Sequence, residues 1–331
     1  MHTRYFTVPA IIVAASIALS GCSSEPSGDA AGSDLKIVAT TTQIADFTRN
    51  VVGDTAGVSL TQLIQPNQSA HSYDPSAADL TALGAADVLV INGVGLEEWL
   101  GNAIDASGFN GLTIDASHDV TVLGSTVGAD PTDHGTAAPA GDGDPHIWTD
   151  VHNAETIVAT IEQGLVDVDP ADAAAFEANA AGYSSKLVAL DGWIRSNVDT
   201  VPAAERLLVS NHDALGYYTA AYGITYVGSV ISSFDDNAEP SAAAMDALVA
   251  AIKAAGVKAV FSEASLSPKT ADTIAREAGV TVYSGADALY VDSLGPAGGE
   301  GDTYLKAQIH NSTLILESWG VTPTALPADL Q

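Results

Sequence analysis

Three histidines and one aspartate of this 331-residue chain, His71, His146, His212 and Asp292, combine the residue types and placements that could hold a metal ion. Neutral imidazoles and a carboxylate form a borderline-soft nitrogen and oxygen donor set. Such a set suits a divalent transition ion, and zinc is content with four ligands. Taken singly, each residue also has an ordinary reading. A lone histidine in a loop is commonly a solvated surface group, as His118, His134, His152 and His310 are read here, and His2 lies in an N-terminal leader. Asp292 alone could cap a helix or turn. Glu263, after the strand Val260-Phe261, could be a further ligand, a partner for an imidazole N–H, or a surface acid.

The elements around them place the four in loops where a ligand could sit. Leu35–Thr40 reads as a strand followed by a helix with Ile44, Phe47 and Val51 on one face, ended by Gly53. The same strand-then-helix unit recurs at Val58–Ile64 with a helix from Ser76, at Val88–Ile91 with Leu96–Leu100, and at Thr113-Ile114 leading toward Val122-Leu123. After a helix from Asn153 it resumes with Arg206–Ser210, Leu215–Tyr222, Thr225–Val230, Ala242–Ala255, Ala259–Phe261, Pro268–Ala278, Val282-Tyr283 and a last helix from about Thr303 to Trp319. Such alternation predicts an α/β fold of parallel sheets with flanking helices. Ligands of open α/β sheets gather outside the carboxyl ends of the strands. His71 falls in the loop after the second strand, His146 in a loop just before a helix, His212 directly after Leu207-Leu208-Val209, and Asp292 beyond the strand at Val282. Two of the four come from each half.

Between the halves lies Asp172–Val198, in which Phe176, Ala180, Tyr183, Leu187, Leu190 and Ile194 recur at spacings of three and four. At 1.5 Å per residue this is a helix of roughly 40 Å, the length of a strut rather than of a crossover. The expected organisation is therefore two lobes, each a parallel sheet with flanking helices, joined by one long rigid helix. The segments are 35–168 for the first lobe, 169–201 for the linking helix and 202–331 for the second lobe. Residues 124–143, rich in Gly, Ala, Pro, Asp and Thr, break the rhythm and read as a surface insertion.

Composition narrows the partners. A net charge of −30, from 41 acidic against 11 basic residues, repels nucleic acid and anionic membrane surfaces and attracts cations. Arg4 followed by the apolar run Val8–Leu19 is too short to span a bilayer and reads as an export signal over 1–21. Its end, Leu19-Ser20-Gly21-Cys22, contains the single cysteine of the chain and resembles the lipobox of bacterial lipoproteins. That resemblance implies lipidation of Cys22, with 22–34 as a flexible tether to the outer face of the membrane. With no second cysteine, a disulfide framework and a thiolate metal site are excluded from the mature chain.

Five stretches taken together carry a wider resemblance. They are Gln65-Pro66 through His71-Ser72-Tyr73-Asp74-Pro75-Ser76, Asn92-Gly93 with Leu96-Glu97-Glu98-Trp99-Leu100, Asp144-Pro145-His146-Ile147-Trp148, Ser210-Asn211-His212-Asp213-Ala214 with Gly216-Tyr217-Tyr218, and Tyr290-Val291-Asp292-Ser293-Leu294. In this order they resemble the solute-binding lipoproteins of bacterial zinc and manganese ABC importers, over nearly the whole mature chain. The resemblance implies two α/β lobes on a rigid helix, a metal in the cleft, and delivery to a membrane permease driven by a cytoplasmic ATPase. Matched motif by motif, it implies His71, His146, His212 and Asp292 as the ligands and a monomer with no enzymatic activity. Histidine at position 212 is similar to the zinc-type members, where manganese-type members typically place glutamate, so Zn2+ is the expected cargo and Mn2+ the alternative. Zinc-type members often carry a histidine-rich insertion before the second ligand motif. Here that insertion holds only His134 with Asp130, Asp133 and Asp142. A zinc hydrolase is the enzymatic alternative, but neither HExxH nor a nucleophile elbow occurs. Family members are sometimes described as cell-adhesion proteins, and no residue here encodes such a partner.

Overall fold

The structure, a computed structural model, describes residues 1–2, 34–124, 143–236 and 238–331. The export signal, Cys22 and most of the insertion, including His134, lie outside the described residues. Among the described residues no helix is long and apolar enough to cross a membrane.

The N-terminal half is built on four parallel strands, β1 (Leu35–Ala39), β2 (Val58–Gln62), β3 (Val88–Ile91) and β4 (Leu112–Asp115), in the order β2-β1-β3-β4. β1 and β3 form the centre because their runs are apolar on both faces, and all four residues of β3 are buried. β2, at one edge, alternates half-buried and exposed positions. Helix α1 (Thr42–Val52) follows β1 and is buried over most of its length. Its cap is Thr41, whose side chain accepts from the Ile44 N–H at 3.1 Å. α2 (Ala77–Gly84) opens with a reciprocal capping box between Ser76 and Asp79.

The helix expected at Leu96–Leu100 starts later. α3 spans Leu100–Ser107, and residues 92–99 form a tight turn instead. The reason is a buried carboxylate. Glu97 Oε1 accepts from Thr40 Oγ1 at 2.6 Å and from the Asn92 N–H at 2.7 Å, while Oε2 accepts from the Gly93 N–H at 3.2 Å. Gathering these donors puts Gly93, Val94 and Gly95 at φ of 85°, 54° and 71°. Burial drives the Glu97 carboxyl up to about 7, against the lowering effect of those hydrogen bonds. A carboxyl raised above its unfolded value contributes stability that is complete below about pH 4.5 and is lost as pH rises through about 7. Glu97→Gln keeps an oxygen for Thr40 and Asn92 and cannot ionise. In urea melts with chelator it is expected to be the less stable protein at pH 5 and to recover about 3 kcal/mol relative to wild type by pH 8.5. Parallel stability profiles for the two proteins would count against an ionising Glu97.

α4 (Val151–Val168) leads into α5 (Ala173–Val198), the 26-residue linking helix. Phe176, Ala180, Tyr183, Leu187, Leu190 and Ile194 are all buried, as their spacing requires. Polar bonds fix the helix at both ends. Asn179 Nδ2 donates to the carbonyls of Val51 and Val52 at the end of α1, at 3.1 and 3.2 Å. Near the other end, Trp193 Nε1 donates to Thr324 O at 3.0 Å and the Thr324 N–H donates to Asn197 Oδ1 at 2.8 Å.

The C-terminal half holds two parallel pairs, β5 (Leu207–His212) with β6 (Thr225–Ile231) and β7 (Ala259–Phe261) with β8 (Thr281–Tyr283). Around them lie α6 (Gly216–Tyr222), α7 (Ala242–Ala255), α8 (Lys269–Ala278) and α9 (Tyr304–Ser318). The two halves share their apolar filling. One continuous buried cluster runs from Ile37, Phe47 and Ile114 through Trp148 and Leu190 to Leu208, Phe261 and Tyr304. A buried acid on α1 reinforces the join: Asp46 Oδ2 accepts the Tyr304 N–H at 3.0 Å, at the start of α9.

Candidate metal centre

The four candidate ligands meet at one point. One nitrogen or oxygen from each of His71, His146, His212 and Asp292 lies within 4.8 Å of every other. His146, His212 and Asp292 are buried and His71 is partly open to solvent.

Each arrives by a different local route. His71 ends the long turn after β2, where Ser69 Oγ accepts the His71 N–H at 3.2 Å. His146 immediately precedes a short 3-10 turn over Ile147–Thr149. His212 is the last residue of β5 rather than the start of the following loop, because its pairing with Ile231 extends the strand two residues beyond the expected end. Asp292 stands nine residues past Tyr283, beyond a 3-10 turn at Gly285–Asp287, and does not directly follow β8.

The distances suit a small cation. His146 Nε2 lies 3.3 Å from the Nε2 atoms of both His71 and His212. The carboxylate oxygens of Asp292 lie 3.1 Å from His212 Nε2, 3.5 Å from His146 Nε2 and 3.6 Å from His71 Nε2. A tetrahedron of N and O ligands with bonds of about 2.05 Å has edges of about 3.3 Å. Asp292 Oδ1 accepts no hydrogen bond among the described residues, and Oδ2 has only His212 Nε2 within hydrogen-bond distance, at 3.1 Å, a bond that exists only while that nitrogen carries a proton. Leaving a buried carboxylate without a hydrogen bond is costly unless a cation answers it.

Two further acids set the tautomers. Asp144 Oδ1 lies 2.7 Å from His146 Nδ1 and also accepts the His146 backbone N–H at 3.0 Å. Glu263 Oε1 lies 2.5 Å from His212 Nδ1 and accepts the His212 backbone N–H at 3.2 Å. Each pairing makes Nδ1 the donor and turns the Nε2 lone pair toward the common centre. Of the three readings open for Glu263, the geometry places it as the partner of an imidazole N–H. Asp144 was not singled out in the sequence, although an aspartate two residues before a histidine can turn back onto its ring.

Burial works to lower the imidazolium of His212, but the carboxylates of Asp292 and Glu263 outweigh it and hold the group well above the usual histidine range. For His71 burial prevails over the pull of Asp292, and the group is lowered. Burial also opposes the charge on Asp292, yet the facing rings, His212 foremost, hold its carboxyl well below the usual carboxylate range.

Among the described residues, the other histidines stay outside this cluster. Among them, His152 is 77% exposed along its side chain, whereas His310 is tucked against the Ala288 carbonyl at 3.0 Å and so is not the surface residue it was expected to be.

Comparison with known proteins bears on the family to which the chain belongs. The family described as zinc-uptake complex component A, periplasmic, matches residues 37–318. The manganese-binding lipoprotein MntA of Halalkalibacterium halodurans is 30% identical over 302 residues, covering 91% of this chain and 94% of that protein. The iron-binding protein YfeA of Yersinia pestis is 30% identical over 272 residues, 82% of this chain and 81% of its own. Among solved structures, the periplasmic zinc-binding protein TroA of Treponema pallidum superposes with a TM-score of 0.74 at 26% identity, over 86% of this chain and 98% of that one. A manganese-bound mutant of the periplasmic metal-binding protein of Candidatus Liberibacter asiaticus superposes at 0.73 with 25% identity, over 85% and 98%. The chain belongs to the ZnuA family, the two-lobed solute-binding proteins, not enzymes, of metal ABC transporters.

Proposed function

We propose that the protein captures one divalent transition-metal ion with His71, His146, His212 and Asp292 as its four ligands, and hands it to an ABC permease powered by a cytoplasmic ATPase. In this reading residues 35–168 and 202–331 are the lobes, 169–201 is the linker, and Asp144 and Glu263 orient the rings of His146 and His212. The observation that supports it best is the buried Asp292 carboxylate, which faces three imidazole nitrogens at 3.1 to 3.6 Å and has no other side-chain partner among the described residues. Four protein ligands close a tetrahedral shell and leave no open position for an activated water, which separates this site from a zinc hydrolase.

The cargo is narrowed by the donor set. Three imidazoles and a single carboxylate favour Zn2+, whereas relatives named for manganese and iron keep Mn2+ as the alternative. Affinity alone does not decide between them, because the Irving–Williams order places zinc above manganese for almost any such site. Elemental analysis of protein taken from its native cell, with growth rescue of a deletion strain by each metal, is the deciding experiment. Manganese occupancy with rescue by manganese alone would overturn the zinc reading. The relatives' names as lipoproteins and periplasmic proteins, together with Leu19-Ser20-Gly21-Cys22, support an extracytoplasmic protein tethered through lipid on Cys22. Radiolabelled palmitate incorporation lost in Cys22→Ala tests the tether.

Loading should release a proton. His212 is held protonated at neutral pH in the metal-free site and must become neutral to donate its Nε2 lone pair. Affinity is therefore expected to rise with pH, by about tenfold per unit wherever His212 is still protonated in the metal-free protein. Titration calorimetry in buffers of differing ionisation enthalpy should return about one proton released per ion at pH 7. A value near zero would mean that His212 is already neutral.

A further inference from the structure

The backbone around Asp292 is held from the wrong side for a ligand that belongs to the C-terminal half. Residues 289 and 290 are tied C-terminally, the Leu289 N–H to Ser262 O at 2.9 Å and the Tyr290 N–H to Asn311 Oδ1 at 2.8 Å. Over Val291–Leu294 the Val291 carbonyl, the Ser293 hydroxyl and the Leu294 N–H are all tied to the N-terminal half, while the Asp292 carboxylate itself faces histidines of both halves. Gln43 Nε2 donates to Val291 O at 2.8 Å, Trp148 Nε1 donates to the same carbonyl at 3.0 Å, and the Leu294 N–H donates to Thr42 Oγ1 at 2.9 Å. The Asn67 N–H donates to Ser293 Oγ at 2.8 Å. Thr42 Oγ1 in turn donates to Gln43 Oε1 at 2.9 Å, which fixes the amide so that its Nε2 faces Val291. Both Thr42 and Gln43 are buried in the first turn of α1, which packs directly behind the central strand of the N-terminal sheet.

We infer that Thr42 and Gln43 are positioning residues for Asp292, so that this ligand moves with the N-terminal sheet although it is encoded in the C-terminal half. This rests on the four-ligand reading above. The site then divides three to one: His71, His146 and Asp292 travel together, and His212, on β5 with Glu263 behind it, is the ligand that separates when the halves shift. Ser69 Oγ, which donates to Asp236 Oδ1 at 3.0 Å, and Tyr217 Oη, which donates to Asp144 O at 2.8 Å, are contacts that cross between the halves beside the site and must yield in that motion. A shift of that kind strips one imidazole from the ion and leaves an open position facing His212.

Cobalt(II) is the probe, because its visible d–d bands report the ligands directly. Wild type, Gln43→Met, the double variant Thr42→Val/Gln43→Met, Asn311→Leu and Asp292→Ala are compared by Co2+ titration, spectrum and chelator-driven release rate, with thermal melts of the metal-free proteins alongside. Removing a group that orients a metal ligand typically costs about 10- to 100-fold in affinity. The double variant is expected to show that loss, a faster release, and a spectrum displaced toward that of Asp292→Ala. Asn311→Leu, which cuts the ties of Tyr290 to α9 and leaves every N-terminal tie in place, should keep the wild-type spectrum. Gln43→Met alone leaves Trp148 on the Val291 carbonyl, so a folded variant is available even where the double one is not, and it should show the same displacement in smaller degree. If wild type takes up no cobalt, the four-ligand reading fails. If wild type loads and the Thr42 and Gln43 variants keep its spectrum and release rate, or if Asn311→Leu perturbs them more, the assignment of Asp292 to the N-terminal half is overturned.

Discussion

His146→Ala is expected to weaken metal binding by at least two orders of magnitude while leaving the fold intact. Structural zinc sites bind with about 10 to 16 kcal/mol, so one of four ligands accounts for about 3 kcal/mol, roughly a hundredfold. His146 should exceed that share. It is fully buried, and its Nε2 stands 3.3 Å from the Nε2 atoms of both other histidines, so it is the common neighbour of the set. His71→Ala should cost less, because the His71 side chain retains 10% exposure and a water can enter in its place. Competition titration against a chromophoric chelator ranks the two variants, with circular dichroism confirming the fold. Equal affinities for wild type and His146→Ala would remove this residue from the site.

The unequal weight of the ligands is a property of packing, and packing is what the sequence displays least. The four candidate ligands were legible because His71 and His212 lie at or just beyond strand ends and because all four stand in short motifs that resemble one family. The buried face of α5 was legible for the same reason: Phe176 through Ile194 repeat at helical spacing, and nothing distant is needed to place them. Glu97 was different. Its pattern, with Leu96, Trp99 and Leu100 close by, reads as helix, but its carboxylate accepts from two backbone N–H groups and from the Thr40 hydroxyl, and the turn they form delays α3 to Leu100. Gln43 was invisible as a determinant of Asp292 because 248 residues separate its amide from the Val291 carbonyl it serves. Local periodicity carries no information about partners at that range. The same limit hid the shared core, since each half has enough alternation to look complete by itself.

Metal loading should raise the midpoint of thermal unfolding, and by more at pH 8 than at pH 6. A ligand present at a thousand times its dissociation constant stabilises the native state by about 4 kcal/mol. With an unfolding entropy of about 2.1 cal/mol/K per residue over roughly 300 residues, that corresponds to about 7 °C. The pH dependence follows from the two raised groups. The protonated His212 contributes stability that is complete below its unfolded value of 6.5 and is lost as pH climbs through its elevated folded value. Glu97 loses its contribution as pH passes about 7. Both losses weaken the metal-free protein on the alkaline side. The ion reverses only the first, because it replaces the His212 proton as the cation facing Asp292 while Glu97 titrates regardless. Scanning calorimetry of metal-loaded and chelator-treated protein at the two pH values separates these effects. Asp292→Asn, which removes the charge that the cation answers, should lose most of the metal-induced shift. A shift of equal size in wild type and Asp292→Asn would mean that the ion stabilises the fold from somewhere else.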